Sequence, residues 1–378
     1  MKIIIGGDFA TDSRGLHSVL SQKAFSTEIT DILQKADYTI INLESPVADV
    51  SCHPIKKSGP CLKTTSESIT YLKQCGVDAV TLANNHFFDY GKDAVGLTIR
   101  ELNNKSIDYV GGGSTDEERR RILYKSIDDT RIAFLNYCEH EFSVQDKCGS
   151  NGLGPIQAFY DINQARKHAD IIIIITHGGH EGYRLPSPRM QKLYRYFIDA
   201  GANLVVNHHQ HCYSGFESYG NGYIYYGLGN FFFDYGHNPR NEEEKSWNEG
   251  YLIEINIKDK AIHEIRPIPY LQCADEDIQV KAKVSKEELN AFDKQITFLN
   301  SIISNPTKLE SEFLKYAFSK RENYIVDYVP YSNRYLRALY KRGFLPSFFS
   351  QERQLKALND IRCEAHRDLL TESLLLKD

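Results

Sequence analysis

Short apolar, β-branched runs recur through the first 235 residues, and each ends in polar side chains able to bind a metal. KIIIGGD closes on Asp8, YTIINLE on Asn42 and Glu44, and DAVTLANNH on Asn84, Asn85 and His86. DIIIIITHGGHE closes on His177, His180 and Glu181, and NLVVNHHQH on His208, His209 and His211. YIYYGLGNFFFD follows with Asn230 and Asp234. Near-continuous apolar runs of this length suit strands buried on both faces. Helix-like segments lie between them, over roughly 18–36, 66–75, 92–105, 160–168 and 187–200. Strands alternating with helices predict an α/β fold, and in such sheets ligands gather where strands end. Five strand ends carrying ligand-type side chains are therefore the main signal in this sequence.

The pattern changes near residue 240. A charged loop covers 241–245, 251–257 and 261–267 read as paired strands closing the domain, and the chain beyond about 280 is charged and helix-like. The expected division is a main domain over 1–270 and a mostly helical C-terminal extension over 271–378, packed on it. The basic, aromatic stretch 334–358 reads as an amphipathic helix pair on that domain, with a surface for an acidic or membrane partner as the alternative.

Composition narrows the function classes. A formal net charge of −5 argues against a general nucleic-acid binder, which needs a basic footprint. Anionic substrates stay open, because bound metal ions reverse the local field. The opening MKIIIGGDFA is too short in apolar residues for a signal peptide. The longest apolar run, Ile171 to Ile175, falls well below the roughly 18 residues of a membrane helix. The expectation is a cytoplasmic protein. Eight scattered cysteines without a C-x-x-C pair read as reduced thiols. Cys212, beside the histidine cluster, leaves a thiolate ligand open.

A lone Asp8 or Glu44 after a strand is more often a cap or turn residue than a ligand. The set is more telling than its members. Two carboxylates, one amide and three imidazoles suit borderline divalent ions such as zinc, manganese or iron. Thiols are too few for a cysteine zinc site and carboxylates too few for a calcium cage. A carboxylate can bridge two ions about 3.5–4 Å apart. Alternate residues of an extended chain point to one side, so His209 and His211 are expected to converge. Asp89 reads as a cap for the following helix ahead of a partner for His86.

In order, GGDF, NLESP, LANNHFFDYG, THGGHEGY with Pro186 and Gln191, NHHQH and YGLGNFFFD resemble the CapA family of capsule-biosynthesis proteins. That family is named for poly-γ-glutamate capsule production and is related to the calcineurin-like metallophosphoesterases. The resemblance covers about residues 1–270. It implies a four-layer α-β-β-α sandwich of the metallo-dependent phosphatase type, with one or two divalent transition metal ions (Mn, Fe or Zn). Carried over by motif, the metal ligands are Asp8, Glu44 as the bridge, Asn85, His177, His209 and His211, and the catalytic residue is His86. His180, Glu181 and Asn230 are placed on the substrate side. The wider superfamily's Asp-x-His motif is broken at Ala10, which leaves one ion short of a ligand, and the bridging carboxylate is the longer Glu44. The reading is a metal-dependent hydrolase acting on an anionic polymer or phosphoester in capsular polymer biosynthesis. Its expected partner is capsule-synthesis machinery at the membrane, with no nucleic acid. The alternatives are a non-catalytic, metal-containing scaffold and, by analogy alone, a general phosphodiesterase or nucleotidase.

Overall fold

The computed structural model describes residues 1–378 except 12, 234–245, 274–278, 326–333, 346–349 and 376–378. Asp234, the 241–245 loop and part of the 334–358 stretch lie outside the described residues. The first sheet begins with β1 (Lys2–Ala10), β2 (Tyr38–Leu43), β3 (Ala79–Thr81) and β4 (Asp108–Val110). A small ribbon joins β5 (Gly112–Gly113) to β8 (Gly149–Ser150). The second sheet holds β6 (Leu123–Ile127), β7 (Thr130–Cys138), β9 (Ile171–His177), β10 (Leu204–His208), β11 (Phe216–Tyr219) and β12 (Gly222–Tyr225). The chain then returns to the first sheet through β13 (Asn230–Phe233), β14 (Glu249–Lys258), β15 (Ala261–Gln272) and β16 (Val280–Ala282). The strand orders are β16-β15-β14-β1-β2-β3-β4, with β13 beside β1, and β11-β12-β10-β9-β7-β6.

The alternation along β1 explains the layering. Ile3 and Ile5 face the second sheet, in one core with Tyr38, Ile40, Ile132 and Phe134. The Tyr38 and Phe134 rings stand 5.7 Å apart across the gap. Ile4, Ile41 and Val80 face outward, against α2 (Thr27–Gln34), α3 (Ser66–Gln74) and α4 (Gly91–Asn104), through Ile29, Leu33, Ile69, Leu72 and Val95. On the second sheet, α5 (Pro155–Ala165) and α6 (Pro188–Ala200) supply the outer layer with Ala158, Ile162, Met190 and Phe197. The result is the expected four-layer α-β-β-α arrangement. All five isoleucines of β9 are buried, because this strand is covered on both faces.

Local readings fared unevenly. The single helix expected over 18–36 is two, α1 (Ser13–Leu20) and α2. The left-handed Gln22 (φ 61) lies between them, and the Ser26 side chain caps α2 by accepting from Ile29 N. The helix expected over 160–168 begins earlier, at Pro155, a residue suited to a first helical turn. The paired strands expected near 251–267 are β14 and β15, antiparallel.

Beyond residue 285 come the helices Lys286–Ile303, Pro306–Ile325, Arg334–Lys341, Gln351–Arg362 and Glu364–Leu375. Several are tied to the preceding chain, through the helix Pro188–Ala200 and the loop after β7: Gln191 donates to Ile303 O, Arg189 pairs with Asp368, and the His140 ring pairs with Glu364. The helix Arg334–Lys341 differs from the expected packed pair, since Tyr335, Leu336 and Leu339 are exposed. Among the described residues no helix is long and apolar enough to cross a membrane.

Candidate metal centre

Asp8 reaches the centre because β1 bends at two glycines. Its pairing with β2 shifts between Ile5 and Asp8, and its pairing with β13 between Asp8 and Phe9. A β-carbon on Gly7 would lie 1.9 Å from Gly229 O, so only glycine allows this approach of two backbones. Gly7→Ala is expected to destabilise the fold by about 3 kcal/mol or more and to displace Asp8. Denaturant unfolding measures the first effect and metal content the second.

The other donors come from four further strand ends. Glu44 follows β2 and is held beside β1 by its backbone N–H donating to Phe9 O. Asn85 and His86 follow β3, His177 ends β9, and His209 and His211 follow β10. The site thus lies where the C-terminal edges of both sheets meet. The extended-chain reason for the convergence of His209 and His211 does not hold. Both have left-handed backbones, φ 86 and φ 56. The tight turn aims both rings inward at a strain of order 1–3 kcal/mol per residue.

Two overlapping ligand groups result. Glu44, His177 and His209 form one, and Asp8, Glu44 and His211 the other, with ligand atoms in each group within 4.8 Å of one another. Glu44 is common to both. Its Oε1 is 3.7 Å from His177 Nε2 and 3.7 Å from His211 Nε2. Asn85 Oδ1 is 3.0 Å from His177 Nε2, which places the amide in the first group. Asn42 Nδ2 donates to Asp8 Oδ1 at 2.8 Å and lies 3.3 Å from His177 Nδ1, so it braces one ligand of each group.

The electrostatics favour a cation. Glu44 is fully buried, and neither carboxylate oxygen has a hydrogen-bond partner. Burial, then the negative charge of Asp8, holds its carboxyl well above the usual carboxylate range. Burial likewise lowers His177 well below the ordinary imidazole value and pushes His209 down to about 3. Neutral imidazoles cannot offset a buried carboxylate, whereas a divalent ion among these donors would satisfy both. The donors present therefore fit one ion or two, with Glu44 the carboxylate common to both groups.

His86 stands beside this centre in a separate arrangement. Its Nδ1 is 2.6 Å from Asp89 Oδ2, and Lys57 Nζ is 2.5 Å from Asp89 Oδ1. Asp89 also accepts from Leu62 N. It does not cap α4, whose N-cap is Tyr90. The cap reading is therefore corrected: burial demands partners for the carboxylate, and the imidazole and ammonium supply them. Burial, then the Lys57 charge, lowers the His86 pKa against the opposing pull of Asp89. Lys57 was missed, because nothing in HPIKKSGP marks one lysine as buried.

A cavity of about 310 Å³ opens beside the centre, lined in part by His180, Glu181, His209, Lys320, Lys356 and His366. His180 packs against Tyr183, Phe313 and Tyr316. Glu181 comes within 4.8 Å of the ligand atoms of His209 and His211. Asn230 plays another part. Its Oδ1 is 2.8 Å from His211 Nδ1, and its Nδ2 donates to His211 O and Trp247 O. The fully buried amide thus orients His211 and does not face the cavity. Cys212 is buried and joins no candidate ligand group among the described residues, and no disulfide links the eight cysteines.

Residues 2–235 match the family described as bacterial capsule synthesis protein PGA_cap. The chain belongs to this family. Among curated relatives of this PGA_cap protein, the capsule biosynthesis protein CapA of Bacillus anthracis is 31% identical over 252 residues, covering 64% of this chain and 60% of that protein. The chain thus matches less than two thirds of that relative's length. The PGA biosynthesis protein CapA of Bacillus subtilis (strain 168) is 27% identical over 317 residues, 80% of each chain. Among solved structures, the 5'-nucleotidase from Candida albicans SC5314 is similar with a TM-score of 0.42 at 11% identity, covering 83% of this chain and 58% of that one. The resemblance read from the ordered motifs is thus met at family level, with the matched segment ending at 235 and not near 270.

Proposed function

We propose that this PGA_cap protein is a metal-dependent hydrolase of capsular polymer biosynthesis, acting on poly-γ-glutamate or a related anionic polymer, or on a phosphoester. The observation that carries the reading is Glu44: a buried carboxylate without hydrogen-bond partners, common to two ligand groups. Asp8, Glu44 and His211 would hold one ion, and Glu44, Asn85, His177 and His209 the other. When bound, such ions supply charge for a developing oxyanion and lower the pKa of water.

The chain's own residues supply the rest. Asp89 holds His86 at Nδ1, so Nε2 is the nitrogen that, once the ring has taken up a proton from solvent, gives it to the leaving group. Lys57 pairs with Asp89, and so keeps that carboxylate, and with it His86, in one orientation. His180 and Glu181, on the cavity wall, position the substrate. Membrane-bound synthesis machinery is the partner that the capsule role calls for.

The test is turnover by chelator-stripped protein, before and after manganese, iron or zinc is restored, on phosphoesters, nucleotides and γ-glutamyl oligomers. Turnover that appears with metal and disappears with chelator is expected. Metal-loaded protein with no turnover on any of these, yet retaining polymer binding, would favour the scaffold, a reading to which Ala10 gives its one support.

A further inference from the structure

The C-terminal helices bring a second donor cluster to the cavity. Glu141 follows β7, Cys363 joins the helices Gln351–Arg362 and Glu364–Leu375, and His366 stands in the latter. One ligand atom from each lies within 4.8 Å of the others. We infer that Glu141, Cys363 and His366 bind a further divalent ion of the zinc class, distinct from those held at Glu44.

The donor types come first. One carboxylate, one thiolate and one imidazole make three protein ligands, and a tetrahedral zinc ion with three such ligands keeps a fourth position open. The thiolate selects against magnesium, calcium and manganese.

The supports are also in place. Asp360 Oδ1 is 3.3 Å from His366 Nδ1, the carboxylate–imidazole pairing that orients metal-bound histidines. Asn359 Nδ2 donates to Glu141 Oε2 at 3.2 Å. These consecutive residues, both buried, lie in the last turn of the helix that precedes Cys363, so one turn of chain supplies a ligand and both braces.

The thiol's surroundings agree. A structural cysteine packs as a small apolar group. Cys363 is fully buried, yet its Sγ faces two carboxylates, at 3.8 Å from Glu139 Oε2 and 3.9 Å from Glu141 Oε1. Glu139 is already paired with Arg189, which leaves Glu141 as the carboxylate for an ion.

His366, Asn359 and Asp360 line the same cavity as His209 and Glu181. Glu141 Oε1 is 3.9 Å from His209 Nε2. The open position of the ion therefore faces the substrate side, where a cation would hold an anionic group of the substrate. It would also fasten the C-terminal extension to the cavity.

Cobalt(II) titration of the chelator-stripped, full-length protein tests this. A thiolate-to-cobalt charge-transfer band is expected, since the donors at Glu44 include no sulfur. Cys363→Ser should abolish the band and remove one equivalent of bound zinc. Asp360→Asn should weaken the cobalt affinity read from the band by about 10–100-fold. Glu44→Gln should leave the band in place, which separates this site from the two-ion reading. Absence of the band in the unmodified protein overturns the inference without reference to any variant. A band unchanged in both Cys363→Ser and His366→Gln overturns it equally, by assigning the sulfur to another cysteine.

Discussion

Glu44→Gln is expected to strip both ions from the centre and, without metal, to leave the fold as stable as before or up to about 2 kcal/mol more stable. Ordinarily, removing one member of a buried, paired charge costs about 3–5 kcal/mol. Glu44 is the opposite case, because its oxygens are buried without hydrogen-bond partners and the metal-free native state bears the full desolvation cost of that carboxyl group. Only a cation turns that liability into binding energy. Thermal unfolding with and without added metal separates the two states. The unmodified protein should gain about 2.7 kcal/mol per ion at a free manganese concentration 100-fold above Kd, and the variant, left only with a thiolate site that selects against manganese, should gain almost nothing. A metal-free variant less stable by several kcal/mol would mean that Glu44 is a structural residue.

The second large effect is expected at His86. His86→Ala should lower kcat by about 10²–10⁴ with bound metal unchanged, because its ring belongs to neither ligand group. Lys57→Met should give a smaller loss in kcat with little change in KM. Lys57 acts through Asp89, at 2.5 Å, and not on the substrate. Unchanged turnover in His86→Ala, with metal retained, would move the proton donor elsewhere in the cavity.

How much of this centre was legible follows from how its parts arise. Asp8, Glu44, Asn85, His177, His209 and His211 stand out because each follows an apolar run that can only be a covered strand. β7 was overlooked although TRIAFLNYC is such a run and Glu139, His140 and Glu141 follow it. YIYYGLGNFFFD looks continuous, yet it is β12 of the second sheet and β13 of the first. The left-handed Gly229 between them (φ 79) lets the chain cross and sets Asn230 against His211. Asp89 looks like a helix cap until Lys57, 32 positions earlier in the chain, is folded against it.

By itself the sequence showed which segments are covered strands and which polar side chains follow them, because burial periodicity and side-chain chemistry are properties of short segments; the four layers were implied by the family resemblance. The tertiary structure decided which donors lie together, that Asn230 serves His211, and that Glu141 meets Cys363 and His366 from more than 220 residues away. Those pairings depend on how strands from two sheets and a distant helix register against one another. That register is set by packing across the whole molecule, and no local pattern encodes it.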